Sequence, residues 1–184
     1  VLHHFLGRPV AWSSLRLIGL PPHLEVRDLE VAPFVRARFV SITPSTTLTA
    51  SSIYISGLEV DLSGELSGRA PGAPKGHPLR ILFLHRLAVA DARIKLKETS
   101  IPLSGDFHDV SLFTAGERGF LWIRRGALGI QDYPPIELTL RTGFKPDGEA
   151  LRVEPLVLKG PGLALRGSGR VAGADGRTYR VVAS

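Results

Sequence analysis

The 184-residue chain contains no cysteine, which excludes a disulfide framework, a thiol nucleophile and the usual cysteine-ligated zinc sites. Methionine is also absent, so we expect the chain to be an internal piece of a longer protein. Its apolar runs are short: the best of them, ILFLHRLAVA, is broken by His85 and Arg86. No run approaches the roughly 18–20 residues that cross a bilayer as a helix, so no spanning helix is predicted within this piece.

Long windows with helical periodicity are missing as well. Twenty glycines and fourteen prolines interrupt the sequence, and no window of about 11 residues, the mean helix length, is free of them and has apolar residues at helical spacing. Apolar and polar residues alternate instead: in GLEVDLSG, Leu58, Val60 and Leu62 share one strand face, and Glu59 and Asp61 share the other. ARIKLKE, PIELTLRT and ALRVEP follow the same pattern. Alternation is typical of antiparallel sheets with one wet face, so the sequence predicts an all-β chain with little helix.

A longer pattern repeats on top of the alternation. The segments IYISGLEVDL and LAVADARIKL align without gaps, with apolar residues at positions one, three, eight and ten, and LVLKGPGLAL has the same spacing. The odd step from position three to position eight breaks strict alternation. A tight turn between the halves would let both halves face the same way. Ser-Gly, Ala-Asp and Gly-Pro-Gly suit such a turn or, alternatively, a β-bulge. The sequence therefore predicts three units with one apolar side each.

The segment 69–78, RAPGAPKGHP, is the stretch most like a linker. It is rich in proline and glycine and has no apolar residue larger than alanine, which is typical of a loop. We interpret it as a long loop within one continuous sheet that spans residues 1–184. A true domain boundary is the alternative.

The net charge of +6 suits anionic surfaces. The charges are dispersed, however, and Arg124-Arg125 is the longest basic run, so solvated outer faces of strands are the simpler interpretation. The segment FLWIRR brings Phe120, Trp122 and Arg124 together, an arrangement on which nucleic-acid bases can stack. Ordinary sheet packing is the alternative for these aromatic residues, and we expect no nucleic-acid partner.

Motifs that would support catalysis are weak. In DFHD, Asp106 and His108 share a strand face and Asp109 follows, but no third or fourth metal ligand stands at a recognisable spacing. We interpret this segment as a polar turn before the strand VSLF. Gly-Ser-Gly at 167–169 does not match a nucleophile elbow, and GAPKGH lacks the pattern of a P-loop. The sequence predicts a protein that is not an enzyme and that carries no metal and no cofactor.

Three longer segments resemble the repeating unit of the TamB and AsmA-like family of bacterial envelope proteins: VRARFVSITPSTTLTASSIYISGLEVDLSGE, LRILFLHRLAVADARIKLKETSIPLSGDFHDVSLFTAG and LVLKGPGLALRGSGRVAG. Together they cover most of residues 24 to 173. The resemblance implies a long, twisted antiparallel sheet that curls into an apolar groove across the periplasm. It also implies anchoring in the inner membrane through a segment outside this chain.

The function that this resemblance implies is transport of phospholipid between the inner and outer membranes and a role in outer-membrane biogenesis. The implied partners are phospholipid acyl chains and an outer-membrane assembly partner. The alternative is a compact β-sandwich, a binding or structural module of an extracellular protein whose apolar faces meet each other. We expect the groove to be lined by the apolar members of the alternating segments, namely Ile53, Ile55, Val60, Leu62, Leu87, Val89, Ile94, Leu96, Ile136, Leu138, Leu140, Leu163 and Leu165.

Overall fold

A computed structural model describes residues 10–20, 22–31, 35–44, 51–63, 86–98, 103–130, 133–148, 150–172 and 179–183. Strands make up 91% of these residues and none of them is helical, which confirms the predicted all-β class. The twelve strands are β1 (Val10–Ala11), β2 (Ser14–Gly19), β3 (Pro22–Val31), β4 (Val35–Pro44), β5 (Ser51–Ser63), β6 (Arg86–Glu98), β7 (Leu103–Ala115), β8 (Arg118–Ile130), β9 (Ile136–Asp147), β10 (Ala150–Gly160), β11 (Leu163–Ala172) and β12 (Tyr179–Ala183).

All twelve strands belong to one sheet, which twists and stays open rather than closing into a barrel. From β3 to β12 the spatial order follows the chain order, and β1 and β2 both pair with β3. The described strands therefore do not divide into the two facing sheets of a sandwich, and the predicted twisted open sheet is confirmed. The longest strands have 13 residues, which corresponds to about 43 Å at 3.3 Å per residue.

One strand pair departs from the predicted antiparallel arrangement. Strands β5 and β6 are parallel, with Ile53 beside Leu87 and Val60 beside Ile94, whereas the other described pairs are antiparallel. A parallel pair needs a connection of a dozen or more residues, and residues 64–85 provide that length. The predicted loop at 69–78 belongs to this connection and lies outside the described residues.

A line of interrupted pairing crosses the sheet near the middle of its strands. We call it the bulge line, and its members are Asp28, Arg38, Gly57, Asp91, Asp109, Arg124 and Pro155. Asp28, Gly57, Asp91 and Asp109 have φ between 50° and 61°, a left-handed conformation that glycine, asparagine and aspartate tolerate best. In β3 to β8 and in β10, the residues that flank the line on the face rich in apolar side chains are three positions apart in sequence. The extra residue of each bulge therefore returns the side chains that follow it to the face of those that precede it.

The bulge line shows which of the two predicted arrangements, a tight turn or a bulge, each repeated segment adopts. The segments IYISGLEVDL and LAVADARIKL are continuous strands, β5 and β6, that bulge at Gly57 and Asp91. A Cβ on Gly57 would lie 2.9 Å from the Cβ of Arg38, so the bulge brings two backbones too close for a side chain. The third segment does form the predicted turn, because Pro161 and Gly162 connect β10 to β11. A bulge and a turn repair an odd apolar step equally well, and the sequence pattern does not distinguish them.

Burial is concentrated beside the bulge line. Seven of the nine buried apolar residues flank it directly: Val26, Ala37, Val40, Val89, Ala92, Val110 and Ile123. They form two clusters, one on β3 and β4 and one on β6, β7 and β8. Bulges bend a strand and increase its twist, and side chains on the concave side of a bend crowd together. We conclude that the sheet curls around its apolar face along this line.

The left-handed conformation of Asp91 generates a test. Its φ is 54°, which a β-branched residue adopts only with strain, so Asp91→Val should lower the free energy of unfolding by about 1–2 kcal/mol. Asp91→Gly should leave it almost unchanged, because glycine adopts positive φ without a steric cost. Urea unfolding followed by circular dichroism measures both values. Thr139→Val, at an exposed position of β9 that pairs in register with β10, is the control and should be close to neutral. Equal stability of the Asp91→Val and Asp91→Gly proteins would contradict the bulge.

Candidate functional site

The register places all thirteen predicted groove residues on one face of the sheet, which we call the apolar face. Across the parallel pair, Ile53, Ile55, Val60 and Leu62 of β5 stand beside Leu87, Val89, Ile94 and Leu96 of β6, respectively. Paired residues in register point to the same side of a sheet. The two repeated segments thus contribute side by side to one surface.

The same face continues across the rest of the sheet. Ile94 pairs with Phe107, Phe107 with Gly126 and Gly126 with Leu138. Leu140 pairs with Leu158, which pairs with Leu165. Ile136 and Leu163 follow by alternation. The candidates of β5, β6, β9 and β11 therefore belong to one surface.

Further apolar residues lie on this face beyond the thirteen groove candidates; Leu156 and Leu158 belong to the third repeated segment, and the sequence analysis missed the others. They occupy β3, β4, β7, β8 and β10, and their pairing partners are all members of the apolar face: Leu24, Val26, Leu29, Val40, Ile42, Leu112, Leu121, Ile123, Leu156 and Leu158. The signal that identifies them is the apolar step of three across the bulge line, as in Val26 to Leu29.

Exposure increases from the centre of the apolar face to its margins, one of which lies at the ends of β8, β9 and β11. Val89 and Leu138 are buried, whereas Ile136 and Leu163 are 39% and 41% exposed, and Ile130 beside them is 44% exposed. We call Ile130, Ile136 and Leu163 the exposed end. Large apolar side chains that remain in contact with water as a group are typical of an interaction site.

Two phenylalanine rings lie flat against the floor of the apolar face. Cβ atoms built on Gly105 and Gly126 would lie 2.6 Å and 2.7 Å from ring atoms of Phe107, so this ring occupies the space above both glycines. Phe144 covers Gly119 in the same way. Glycine at these positions lets the rings lie along the sheet, which leaves the space above the face open.

The opposite face is polar and carries ion pairs between strands. Arg93 of β6 donates two hydrogen bonds to Asp106 of β7, of 3.1 and 2.7 Å, and His108 Nε2 lies 3.1 Å from the same carboxylate. Arg125 of β8 donates one of 2.7 Å to Asp109. The segment DFHD is therefore part of β7 rather than the predicted turn, because the bulge at Asp109 accommodates it without ending the strand.

These ion pairs hold the two aspartates in their charged forms. The hydrogen bond from Arg93 lowers the pKa of Asp106 below its ordinary value, and the hydrogen bond from Arg125 does the same for Asp109. The pKa values of Arg93 and Arg125 are raised for the reciprocal reason. Such shifts keep acid and base permanently paired near neutral pH, which is the opposite of what a proton-transferring pair needs.

A shallow depression of about 410 Å³ lies on the polar face, and its lining includes His108, Arg124, Glu137 and Lys159. It contains both signs of charge, and the nearby Asp106 and Arg125 are already engaged in ion pairs. Within the described ranges, no three histidine, aspartate or glutamate side chains come close enough to hold a metal ion. The apolar face is therefore the surface on which a functional hypothesis can be built.

No protein-family model matches the chain, and neither the curated proteins nor the solved structures contain a match. The relation to TamB and AsmA-like proteins thus stays a prediction from sequence patterns. In the part of the chain that the structure describes, no helix is long and apolar enough to cross a membrane.

The polar face generates a prediction about pH. Because the pKa values of Asp106 and Asp109 are lower in the folded state, the two ion pairs stabilise the fold above the ordinary carboxyl pKa, and this stabilisation is lost as the pH falls through the lowered values. Arg93→Gln should raise the pKa of Asp106 and leave that of Asp109 in place, and Arg125→Gln should do the reverse. Carboxyl carbon chemical shifts measured by NMR across an acid titration test both variants. Unchanged aspartate pKa values in both variants would show that the arginines do not cause the shifts.

Proposed function

We propose that this chain is a non-enzymatic segment of a lipid-carrying groove. Its apolar face shelters the acyl chains of phospholipids while their headgroups stay in water. The observation that supports this most strongly is the continuous apolar face of an open sheet, over which no second layer of strands or helices packs within the described ranges. Apolar surface of this extent needs a partner, and a lipid tail is a partner that a groove can hold.

The energetics favour such a partner. Each methylene group removed from water contributes about 0.8 kcal/mol, so an acyl chain that leaves a bilayer unprotected pays a cost on the order of 10 kcal/mol. The hydrocarbon core of a bilayer is about 30 Å thick and holds two opposed tails, so one tail spans roughly 15 Å. Strands of about 43 Å offer a face long enough for a tail in an extended form.

The exposed end supplies a point of entry. Ile130, Ile136 and Leu163 extend the apolar face to the ends of β8, β9 and β11 while they stay in contact with water. A tail that enters there slides along apolar side chains and does not cross the polar face.

The wider role follows from the resemblance to TamB and AsmA-like proteins. It places the groove in the periplasm, between the inner and outer membranes, with an inner-membrane anchor outside this chain and an outer-membrane assembly partner. The open sheet supports this proposal, because an edge strand has unpaired backbone groups that can continue the sheet. The compact-sandwich alternative finds no support in the described strands, since they form one sheet.

Photo-crosslinking tests the proposed occupant of the apolar face. A photoreactive amino acid at Val60 or Ile94, both half-buried on the apolar face, should form crosslinks to phospholipid when the protein is expressed in its envelope. Their sequence neighbours Glu59 and Lys95 point to the polar face and are exposed, so the same amino acid there serves as the matched control. Lipid crosslinks from the control positions as strong as those from Val60 and Ile94 would refute the groove.

A further inference from the structure

Basic charge is concentrated on one half of the sheet. Strands β8 to β11 carry nine arginine and lysine residues against three aspartate and glutamate residues, whereas β3 to β7 carry seven against nine. Most charged side chains stand on the polar face, because the apolar face holds hydrophobic residues. Among strands β3 to β11, the surplus of positive charge therefore belongs to the polar face of β8 to β11.

The arrangement of these cations is unusual for a sheet. Lys145 of β9 pairs with Arg152 of β10, and Arg152 pairs with Arg170 of β11. Like charges directly opposite each other are destabilising, yet Lys145, Arg152 and Arg170 stand in one cross-strand row. Arg152 lies 3.8 Å from Glu154 and Arg170 lies 3.1 Å from Asp147, so some of the charge is balanced within the row.

A second row, nearer the bulge line, lacks that balance. In this row, Val157 of β10 pairs with Arg141 of β9 on one side and with Arg166 of β11 on the other. Arg141, Arg166 and Lys145 are exposed, and none of them forms an ion pair with a side chain in the described ranges. No acidic side chain there neutralises these three cations, so each can bind an anion.

Exposed aromatic residues border the cations on the same face. Phe113 of β7 pairs with Phe120 of β8, and Trp122 pairs with Arg141. The three aromatic side chains are 44–52% exposed, so about half of each remains in contact with water. We call the three aromatic residues with Arg141, Lys145 and Arg166 the outer patch.

We propose that the outer patch docks this protein onto the surface of a bilayer that contains anionic phospholipids. The cations bind headgroup phosphates, and the phenylalanine and tryptophan rings insert at the level of the headgroups. Aromatic and basic side chains together are typical of surfaces that lie in this interface. The proposal concerns the polar face of the sheet, so it does not depend on what the apolar face holds.

The state of Trp122 favours a membrane over single-stranded nucleic acid. A base binds by stacking on an open aromatic face, but the guanidinium carbon of Arg124 already lies over the Trp122 ring, 4.4 Å from its centroid, and that of Arg141 lies 6.0 Å from it. The ring stacks on cations of its own chain, whereas the neighbouring Phe120 is 52% exposed and has no such contact with a cation in the described ranges. Insertion of these side chains among headgroups leaves the cation contacts of Trp122 in place.

Vesicle flotation of the complete chain tests the proposal. Binding to vesicles of phosphatidylcholine with about 30% phosphatidylglycerol should be strong at about 0.05 M salt and weak at about 0.5 M, because salt screens the attraction between charges. Binding to vesicles of phosphatidylcholine alone should be weak at both salt concentrations. If the apolar face also bound membranes, it would bind neutral vesicles as well. The difference in binding between anionic and neutral vesicles therefore measures the electrostatic contribution that we assign to the outer patch.

Matched variants locate the contact. The triple variant Arg141→Gln, Lys145→Gln, Arg166→Gln should bind anionic vesicles about a hundredfold more weakly, since each cation near an anionic surface contributes roughly a factor of five. The control Arg16→Gln, Arg27→Gln, Lys97→Gln removes the same charge from exposed positions on β2, β3 and β6 and should bind more tightly than the triple variant by about tenfold or more. Phe120→Ser should weaken binding without changing its dependence on salt.

Three outcomes would overturn the proposal. The first is equal binding of the unaltered protein to neutral and anionic vesicles, which is decisive even where the triple variant does not fold. The second is an equal loss of binding in the control variant. The third is tight binding of a mixed-sequence single-stranded DNA of about 20 nucleotides that the triple variant and Phe120→Ser abolish while vesicle binding stays intact. That result would assign the patch to nucleic acid.

Discussion

The structure depends on keeping most large aliphatic side chains of a single-layer sheet on the same side. A strand alternates its side chains between the two faces of a sheet with a period of two. A straight strand of thirteen residues would therefore keep its apolar side chains on one face only if they alternated with polar ones without a break. In seven strands the alternation instead skips one residue, as between Ile55 and Leu58 or Val89 and Ala92. The skipped residues align across the sheet into one line, and seven of the nine buried apolar residues flank it.

The two faces that result have different chemistry. The apolar face has a buried centre at Val89 and Ile123 and an exposed end at Ile136, as expected for a groove that admits a flexible tail. The polar face carries paired charges on β6 and β7, including Arg93 with Asp106, and an excess of cations on β8 to β11. In our account one face holds a lipid and the other approaches the surface from which lipids come.

Alternation was sufficient to predict the all-β class and the shared face of the thirteen groove candidates. It was not sufficient to distinguish a bulge from a turn, because Gly57 and Asp91 adopt left-handed conformations that suit both. The parallel pairing of β5 and β6 could not be predicted, since it depends on how residues 64–85 reconnect the strands and not on the strands themselves. The sequence indicated only part of the outer patch. The segment FLWIRR placed Phe120, Trp122 and Arg124 together, but local sequence does not show whether other side chains cover an aromatic ring.

Native mass spectrometry of the purified protein tests most directly whether the apolar face holds lipid. We predict that the unaltered chain retains masses of one or more phospholipids and that Leu96→Glu, which places a charge on the apolar face, removes them. Thr139→Glu adds the same charge to the exposed polar face of β9 and should retain them. Cooperative thermal unfolding shared by all three proteins would show that the sheet is intact, since water already reaches the half-buried Leu96. Lipid masses that persist in a folded Leu96→Glu protein, or a chain that carries none when purified from its membranes, would contradict the account.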